Sequence, residues 1–346
     1  MPLTRVLALC ALACLWLAGP AAASERCAVP DDYLSDIRPD PDGPPTQMTI
    51  GILVADVLAI DDVTQTIDLD LIAGKKWKDP RLAHLKGCKL QRNEVWFPVS
   101  DVLNSNELKR ARSRFNSDQV SIEKDGTLTY GQRFYGPVAT YHNLRKFPFD
   151  EHVIRIRIAT FEHPADKVQL SVERNISGLA ERLNIPDWTI KDVTFNVEDV
   201  YVPELNTNYS MLHVDIYASR HSTFYVVKLL FPLTLIVLMS FVVFWINPER
   251  FGPQIGLTAT AMLTLIAFQF ALSTLLPKVS YMTTMDILIL GSTALVFCAL
   301  VEATITSALV VNGKAQLAQR IDRVCRWLFP ALLVLVWAGI YLANWK

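Results

Sequence analysis

Four long apolar segments in the last third of the chain constrain its fold more than any other feature. They lie at residues 224–246, 252–276, 284–311 and 324–345. At a rise of about 1.5 Å per residue, helices of these lengths cross a hydrocarbon core of about 30 Å. The breaks between them are typical helix ends: Asn247-Pro248, Pro277-Lys278 and Asn312-Gly313. The sequence therefore predicts an all-α, four-helix transmembrane domain over residues 223–346.

The composition fits a chain divided between water and lipid. Hydrophobic residues make up 51% of the 346 residues and charged residues 19%, with a mean hydropathy of +0.26. By these values the chain is too apolar for an ordinary soluble enzyme and too charged for a protein that lies wholly in a membrane. The formal net charge of −1 argues against a nucleic-acid partner, because such proteins carry a basic surface.

The first residues have the pattern of a secretion signal. Arg5 precedes an apolar stretch at residues 6–17 that is too short to span a bilayer comfortably. Three small residues, Ala21, Ala22 and Ala23, follow it. We predict a signal peptide at residues 1–23 that is cleaved after Ala23, so that the rest of the chain is exported. An uncleaved anchor helix is the alternative.

Residues 24–222 consist mainly of short segments separated by turn signals such as Asp125-Gly126. From Val153 to Ile158, apolar and basic side chains alternate, which is the period-2 pattern of a half-buried strand. Predicted strands lie at residues 48–60, 64–72, 94–99, 119–123, 128–138, 153–160, 168–172, 188–197 and 211–218. About ten strands with few helical stretches predict an all-β, immunoglobulin-like extracellular sandwich.

Loop charges predict how the helices are oriented in the membrane. Lys314, Arg320 and Arg323 lie in the third connection, whereas the second carries Lys278 alone. The positive-inside rule places the third connection in the cytoplasm and leaves the sandwich and the C-terminus outside. A signal peptide requires the same side for the sandwich.

Two of the cysteines, Cys27 and Cys88, lie in the exported region. A disulfide between them can persist in that oxidising compartment, but one pair does not decide between a bridge and two free thiols. Cys298 and Cys325 fall in apolar helices, where a thiol usually acts as a small hydrophobic group.

The second apolar segment is the least lipid-like of the four. Steps of about 3.5 residues along one of its faces give Gly256, Thr260, Leu263, Ala267, Phe270 and Thr274. Hydroxyl groups replace part of an ion's hydration, and an apolar ring closes a narrow pore by dewetting it. This face predicts a pore-lining helix. Small residues and threonines also mediate helix packing in membranes, and the pattern alone leaves both interpretations open.

A series of motifs runs through the chain in a fixed order. They are the stretch at residues 77–82 (W-x-D-x-R-L), Trp96-Phe97-Pro98, Phe147-Pro148-Phe149-Asp150, Arg220 just before the first helix, Pro232 within it, and the loop at residues 276–283. With these motifs ahead of four helices, the chain resembles the pentameric ligand-gated ion channels, the Cys-loop receptor family, in its bacterial branch. The resemblance covers about residues 46–345. The cysteines of the family's eponymous loop fall at Thr140 and Ile154, so that disulfide is absent.

The resemblance implies that four identical partner subunits join this one around a central pore for inorganic ions. It also implies a multi-pass protein in the lipid of a bacterial inner membrane. The second helix of each subunit would face the pore axis. Leu263 then matches the central hydrophobic gate, and Phe270 forms a second apolar ring two turns further out. Thr260 matches a hydroxyl ring, and Gly256 lies at the narrow inner end.

The inner entrance of the pore does not fix the ion. Cation-selective relatives carry a carboxylate just before the second helix, where this chain has Glu249 followed by Arg250. Pro253 resembles a proline of anion-selective relatives. A ring of Glu favours cations and a ring of Arg favours anions. We predict cation conduction with Glu249 and Gln254 as selectivity residues, and anion conduction stays open.

The resemblance also implies an agonist site between neighbouring sandwiches. Phe161 matches a cage aromatic, and Tyr201 and Tyr209 flank the capping loop, so a small molecule such as an amine is one predicted agonist. Two other cage positions fall at non-aromatic residues, Leu103 and Ile72, and ordinary strand packing of the tyrosines is the alternative. A proton is the other predicted agonist, because imidazole titrates near neutrality. His163 beside Glu162 is our candidate proton sensor.

The resemblance to the family also implies that the base of the sandwich contacts the membrane domain. We predict that Asp61, Asp62, Asp150, Arg220 and Pro277, with the rest of the 147–150 motif, couple agonist binding to the pore. A solvated loop is the alternative for Asp61 and Asp62. Glu302, deep in the third helix, is costly in lipid and is predicted to face protein or water.

The main prediction is therefore a ligand-gated ion channel that is not an enzyme. No metal or cofactor is predicted, because the six histidines lack metal-ligand spacing and no phosphate loop or nucleophile elbow is present. A non-conducting, membrane-bound solute sensor is the alternative, although little of the chain is left for a cytoplasmic signalling module. A membrane-anchored enzyme would need a catalytic constellation that the sequence does not show.

Overall fold

The computed structural model describes residues 27–105, 107–111, 118–183, 185–273 and 278–344. The predicted signal peptide, Thr274 and Pro277 lie outside these residues. Over the described residues, a β-sandwich precedes four long apolar helices, which confirms the predicted fold class.

The sandwich consists of two sheets. Its strands in the described residues are β1 (Thr46–Asp61), β2 (Thr66–Lys78), β3 (Lys89–Gln91), β4 (Asp101–Val102), β5 (Lys109–Arg110), β6 (Gln119–Ile122), β7 (Thr127–Ala139), β8 (Glu151–Ala159), β9 (Val168–Val172), β10 (Gly178–Leu179), β11 (Trp188–Val202) and β12 (Thr207–Arg220). The first sheet has the order β10-β1-β2-β7-β6-β3, with β9 also paired to β1 and β5 to β7. The second has the order β11-β12-β8-β4.

Alternating side chains place the core between the two sheets. On β8, Ile154, Ile156 and Ile158 are buried, whereas Arg155 and Arg157 are exposed. This is the period-2 pattern that the sequence predicts, because successive side chains of a strand point to opposite faces. The three isoleucines belong to one apolar cluster with the inward residues of β1, β2 and β7.

The 77–82 motif stabilises the outer part of the sandwich. Trp77 is buried, and Asp79 is fully buried at the start of the 3-10 helix Pro80–Leu85. The Asp79 carboxylate accepts hydrogen bonds from the Arg81 guanidinium (2.8 and 2.9 Å) and from the Tyr33 hydroxyl (2.9 Å). A buried carboxylate is tolerated here because it is paired with a cation and hydrogen-bonded.

The predicted strand at residues 94–99 is wrong. A 3-10 helix, Arg92–Glu94, is followed by extended chain that belongs to neither sheet. Val95 and Trp96 are buried in the core, and the Trp96 amide donates to the Tyr33 hydroxyl (2.8 Å) rather than to a strand. Apolar residues with high strand propensity thus fill the core without entering a ladder, and Pro98 lacks the amide that a ladder needs.

The helices are α1 (Thr223–Trp245), α2 (Phe251–Leu272), α3 (Thr284–Val311) and α4 (Ala315–Asn344). Part of α1 winds as a π-helix, Val226–Leu230, and its end as a 3-10 helix, Val242–Trp245. All four helices contribute residues to one apolar cluster, and Leu144 and Phe147 from the base of the sandwich join it. The base of the sandwich therefore packs directly on the membrane domain.

The fourth helix begins at Ala315 and not near residue 324 as predicted. Its first turns are polar, which hides them from a hydropathy pattern, but alanine, glutamine, leucine and arginine are good helix formers. Arg320 and Arg323 therefore extend from the helix and not from a loop. The connection from α3 is reduced to residues 312–314, so these positive charges stay close to the same membrane face.

Cys27 and Cys88 are joined by a disulfide with a Cα–Cα distance of 5.5 Å. This distance is usual for such bonds. The bridge attaches the start of the described chain to the residue just before β3.

Candidate pore helix and gating interface

The two faces of α2 differ in exposure within the single chain. Thr258, Ala261, Leu265 and Leu272 are buried against the other helices of the subunit. The predicted pore positions lie on the exposed side: Gly256, Thr260, Leu263, Ala267 and Phe270. Leu263 and Phe270 are 69% and 73% exposed, although both are large and apolar. Within one chain this face is therefore uncovered and can contact lipid, another subunit or the water of a pore.

Gln254, predicted as a selectivity residue, lies on the other side of the helix. Its side chain is fully buried, and its amide donates to the backbone oxygens of Ile246 (2.9 Å) and Val243 (3.4 Å). A side chain enclosed by its own subunit cannot contact ions in a pore, so the prediction for Gln254 does not hold in this structure. Glu249 is exposed in the turn between α1 and α2, and its amide donates to the Asn247 side chain (3.1 Å).

Glu302 faces protein, as its position in an apolar helix led us to expect. It is 8% exposed, and neither oxygen of its carboxyl group has a hydrogen-bond partner among the described residues. The buried Asp322 of α4 is its acidic neighbour. The Gln254 amide lies 3.4 Å from the same Asp322 carboxylate. Gln254 and Asp322 thus link α2 to α4, and both are buried like Glu302 of α3.

Arg220 holds two of the predicted coupling acids together at the end of β12. Its guanidinium donates to the Asp150 carboxylate (2.8 and 3.0 Å) and to the Asp62 carboxylate (2.7 Å). Burial alone would raise the pKa of Asp150, but hydrogen bonds from His152 and Arg220 outweigh it and lower that pKa to about 2. The Asp150–Arg220 pair is therefore charged at any physiological pH.

Asp61 has a different position from its neighbour Asp62. Its carboxylate accepts hydrogen bonds from the amides of Val63 (2.7 Å) and Thr64 (3.1 Å) and closes the β1–β2 turn. The Thr64 amide is the main reason why the pKa of Asp61 lies below its ordinary value. Asp61 thus shapes the turn, and Asp62 makes the ion pair.

The 147–150 motif reaches into the membrane domain. Phe147 is buried and packs edge to face on Tyr225 of α1, with ring centroids 4.8 Å apart. Its carbonyl accepts from the Met285 amide at the start of α3 (3.2 Å). The peptide bond from Phe147 to Pro148 is cis, and Phe149 is 41% exposed. The motif thus places one aromatic side chain and one carbonyl on the helices.

Tyr281 makes a second link between the domains. It lies in the connection between α2 and α3, and its hydroxyl accepts from the Leu144 amide (2.9 Å). The same hydroxyl lies 3.5 Å from the His142 carbonyl. Because this connection follows α2, Tyr281 links the loop at residues 140–150 to the segment between α2 and α3.

Two histidines that the sequence patterns did not assign to the interface lie beside the ion-pair cluster. His142 is fully buried between Asp62 (Nδ1 to Oδ1, 3.2 Å) and Thr140 (Nε2 to Oγ1, 2.7 Å). His152 is 6% exposed and contacts the Asp150 carboxylate (2.6 Å). The alternation of β8 is a signal that could have identified His152, because it shares the inward face with Ile154.

The predicted agonist residues are only partly brought together. Phe161 and Tyr209 pack edge to face with centroids 5.0 Å apart, and Tyr209 is buried. Tyr201 is exposed and donates to the Asn206 side chain (2.7 Å) within the β11–β12 turn. Phe161 and Tyr201 therefore remain open to a ligand, whereas Tyr209 supports Phe161 from behind.

Glu162 and His163 are the predicted proton sensor. Within the described part of the chain, they do not form an ion pair with each other. Glu162 is exposed, and His163 packs on Trp96 with centroids 5.5 Å apart. Burial lowers the pKa of His163 below its ordinary value, so a proton binds there less readily than to a free imidazole.

Comparison with known proteins agrees with this architecture. Residues 28–222 match the neurotransmitter-gated ion-channel ligand binding domain, and residues 229–314 match the neurotransmitter-gated ion-channel transmembrane region. A proton-gated ion channel of Gloeobacter violaceus is 26% identical over 335 residues, which are 95% of this chain and 89% of the relative. The chain is thus a multi-pass membrane protein and a ligand-gated channel, not an enzyme, and it belongs to the pentameric, Cys-loop-type ion channel family in its bacterial branch.

Proposed function

We propose that five identical copies of this chain surround a central cation pore lined by α2. An agonist, either a small molecule or a proton, binds to the extracellular sandwiches and opens the pore. The observation that carries this proposal is the exposed face of α2, on which Gly256, Thr260, Leu263, Ala267 and Phe270 lie in line. In a pentamer, this face encloses the axis with two apolar rings above a hydroxyl ring.

The gating path follows the contacts at the base of the sandwich. Agonist binding moves the loops that carry Asp62 and Asp150, which Arg220 joins to the start of α1. The 140–150 loop then acts on Tyr281 and on the outer end of α2. This is a shift between closed and open states, so the agonist must bind more tightly to the open state.

Substitution of the gate tests the pore directly. Leu263→Ser replaces an apolar ring by hydroxyls, so we expect a constitutive leak in voltage-clamped oocytes without agonist. Leu265→Ser is the matched control, because Leu265 is buried in the same helix. It should cost stability by at least about 2 kcal/mol and lower surface expression, without a leak. If Leu263→Ser channels reach the surface and stay closed, the pore assignment is wrong.

Ion selectivity needs a separate measurement. We propose that Glu249 forms the carboxylate ring at the inner entrance, because its side chain is exposed there. In asymmetric salt the reversal potential should follow the cation gradient, and Glu249→Gln should shift it toward zero. A reversal potential that follows chloride would replace this proposal by anion conduction, with Arg250 as the candidate ring.

Assembly and location complete the proposal. Native mass spectrometry of the purified protein should give five chains that begin at Ser24. We place the protein in a bacterial inner membrane, with the sandwich and the C-terminus on the periplasmic side. A tag at residue 313 should then be accessible from the cytoplasm only. A mass other than that of five chains, or a tag labelled from outside, contradicts the respective part.

A further inference from the structure

His142 and His152 form a stacked pair inside the interface cluster. Their ring centroids are 4.9 Å apart, and the ring planes differ by 18°. Each ring is buried and contacts its own carboxylate, Asp62 for His142 and Asp150 for His152. The two carboxylates share Arg220. Five ionisable side chains from four separate parts of the chain thus form one buried network.

The charge of this network leaves room for one proton. With neutral histidines, Arg220 contributes one positive charge and Asp62 and Asp150 two negative charges, which leaves a net charge of −1. A buried net charge is costly, and one added proton removes it. A second proton would place two imidazolium rings face to face at 4.9 Å, and like charges at that distance disfavour it. One proton on the pair would therefore neutralise the network, and a second would not.

The charged and titratable groups around the network do not compensate the charge. Asp61 lies in the adjoining turn, and Arg145 is directed to the Tyr281 ring (5.5 Å). Tyr225 approaches from α1, and Tyr281 approaches from the connection between α2 and α3. Arg220 itself lies over the Trp188 ring (4.1 Å). If its guanidinium left the carboxylates, it would also lose this contact.

We propose that the His142–His152 pair is a proton-binding site through which acid opens the channel. A proton shared by the pair strengthens the contacts of His142 with Asp62 and of His152 with Asp150, and so weakens the competing contacts from Arg220. His142 also lies on the loop whose backbone contacts Tyr281, after the pore helix. Uptake of one proton thus alters both the ion pair next to α1 and the contact next to α2.

This inference rests on the proposed channel function, and it goes beyond the agonist residues named above. It differs from them in location, because the site lies at the membrane end of one sandwich. The imidazole is the side chain with an ordinary pKa in the physiological range, which suits a response between about pH 5 and 8.

Electrophysiology with matched variants tests the site. Acid steps should open the unmodified channel, and the double variant His142→Gln/His152→Gln should move the half-maximal response by at least about tenfold in proton concentration or abolish it. His221→Gln and His84→Gln are controls, because both side chains are exposed and lie outside the network. An unchanged acid response in the double variant, or an equal loss in a control, overturns the proposal.

The test also separates this proposal from the channel function. If Leu263→Ser leaks but the unmodified channel ignores acid, the pore stands and the proton site fails. If there is no leak and no current, the channel proposal itself fails, and proton binding must be read by fluorescence.

Trp188 provides a readout that does not depend on conduction or on folding of the double variant. Its ring lies 5.5 Å from His152, and a protonated imidazole quenches a neighbouring indole. The difference in emission between the unmodified protein and Trp188→Phe should fall as the pH decreases through the range of histidine. His221→Gln should keep this titration and the single variant His152→Gln should lose it. A flat difference signal, or one that survives His152→Gln, overturns the proton site.

Discussion

Arg220 shows how one side chain holds the base of the sandwich together. It binds two carboxylates and lies over Trp188 and Phe147, with only 4% of its side chain exposed. Burial opposes its charge, but the contacts with Asp150 dominate and raise the pKa of Arg220 above its ordinary value. The guanidinium suits this position because its planar fork binds a carboxylate through two donors, which a lysine cannot do.

At this scale we predict the effect of Asp150→Asn. The substitution leaves Arg220 buried with one carboxylate fewer, so the free energy of unfolding should fall by about 3 kcal/mol. The pKa of Asp150 in the folded protein is lowered to about 2 from 3.8, so its stabilising contribution is present above about pH 4. It should be lost as the pH falls from about 4 toward 2. Thermal unfolding of the purified protein at several pH values measures this.

A suitable background isolates the carboxylate. In the His142→Gln/His152→Gln background, the network contains no imidazole. The loss of stability caused by Asp150→Asn should therefore stay constant from pH 7 to 5. A loss that shrinks within that range would show that Asp150 is not held ionised by Arg220.

The second membrane helix carries two different surfaces, and these decide its role. One stripe, with Ala261 and Leu265, packs inside the subunit, and the opposite stripe is exposed. Hydroxyls on both stripes bond to the helix backbone: Thr258 to the Gln254 carbonyl (3.0 Å) and Thr260 to the Gly256 carbonyl (2.8 Å). Threonine alone therefore does not distinguish a pore face from a packing face, because such bonds to the preceding turn are local.

Cysteine substitution along this helix distinguishes the two surfaces. Thr260→Cys, Leu263→Cys and Ala267→Cys should react with a water-soluble thiol reagent faster than Ala261→Cys and Leu265→Cys by at least about tenfold, since the reactive thiolate needs water. Cys298 is exposed and should first be replaced by serine. Modification rates, followed by loss of current or by mass, give the result. Equal rates on both stripes would mean that the exposed face is covered by lipid or protein.

For the whole molecule, the disulfide from Cys27 to Cys88 joins the start of the described chain to the sandwich across 61 residues. Packed surfaces also link distant parts of the chain: the core between the sheets and the cluster that Leu144 and Phe147 share with the helices. A cross-link that closes a long loop restricts the unfolded chain, so it stabilises the folded state without altering the interface.

Removal of this bridge should destabilise the sandwich and leave gating intact. In the chain-entropy model, a loop of this length is worth about 4 kcal/mol, and measured values for native bridges are about 2–5 kcal/mol. Cys27→Ser/Cys88→Ser should therefore lower the melting temperature of the purified protein, and reducing agent should do the same to the unmodified chain. Cys298→Ser is the control, and this substitution should leave the melting temperature unchanged. An unchanged melting temperature would show that the bridge is absent in the purified protein.

Local patterns identified several of the elements. The alternation from Val153 to Ile158 predicted β8, and the apolar run at residues 284–311 predicted α3 with its observed bounds. Both follow from the fixed periods of strand and helix, which depend on neighbouring residues only. The motif at residues 147–150 likewise indicated the family before the fold was known. Where local preference competed with packing, as at Trp96, the prediction of a strand failed.

Side-chain partners required the tertiary structure. Gln254 lies two residues from Gly256, and only the packing of the bundle shows that it is buried beside Asp322 and not in the exposed face. Asp62 and Arg220 are 158 positions apart, and His142 meets His152 because the loop before β8 folds back on it. The sequence by itself determined a sandwich, four membrane helices and the family, since these depend on composition, period and order. The meeting of two histidines, two carboxylates and one arginine depends on how separate strands pack, which no local pattern encodes.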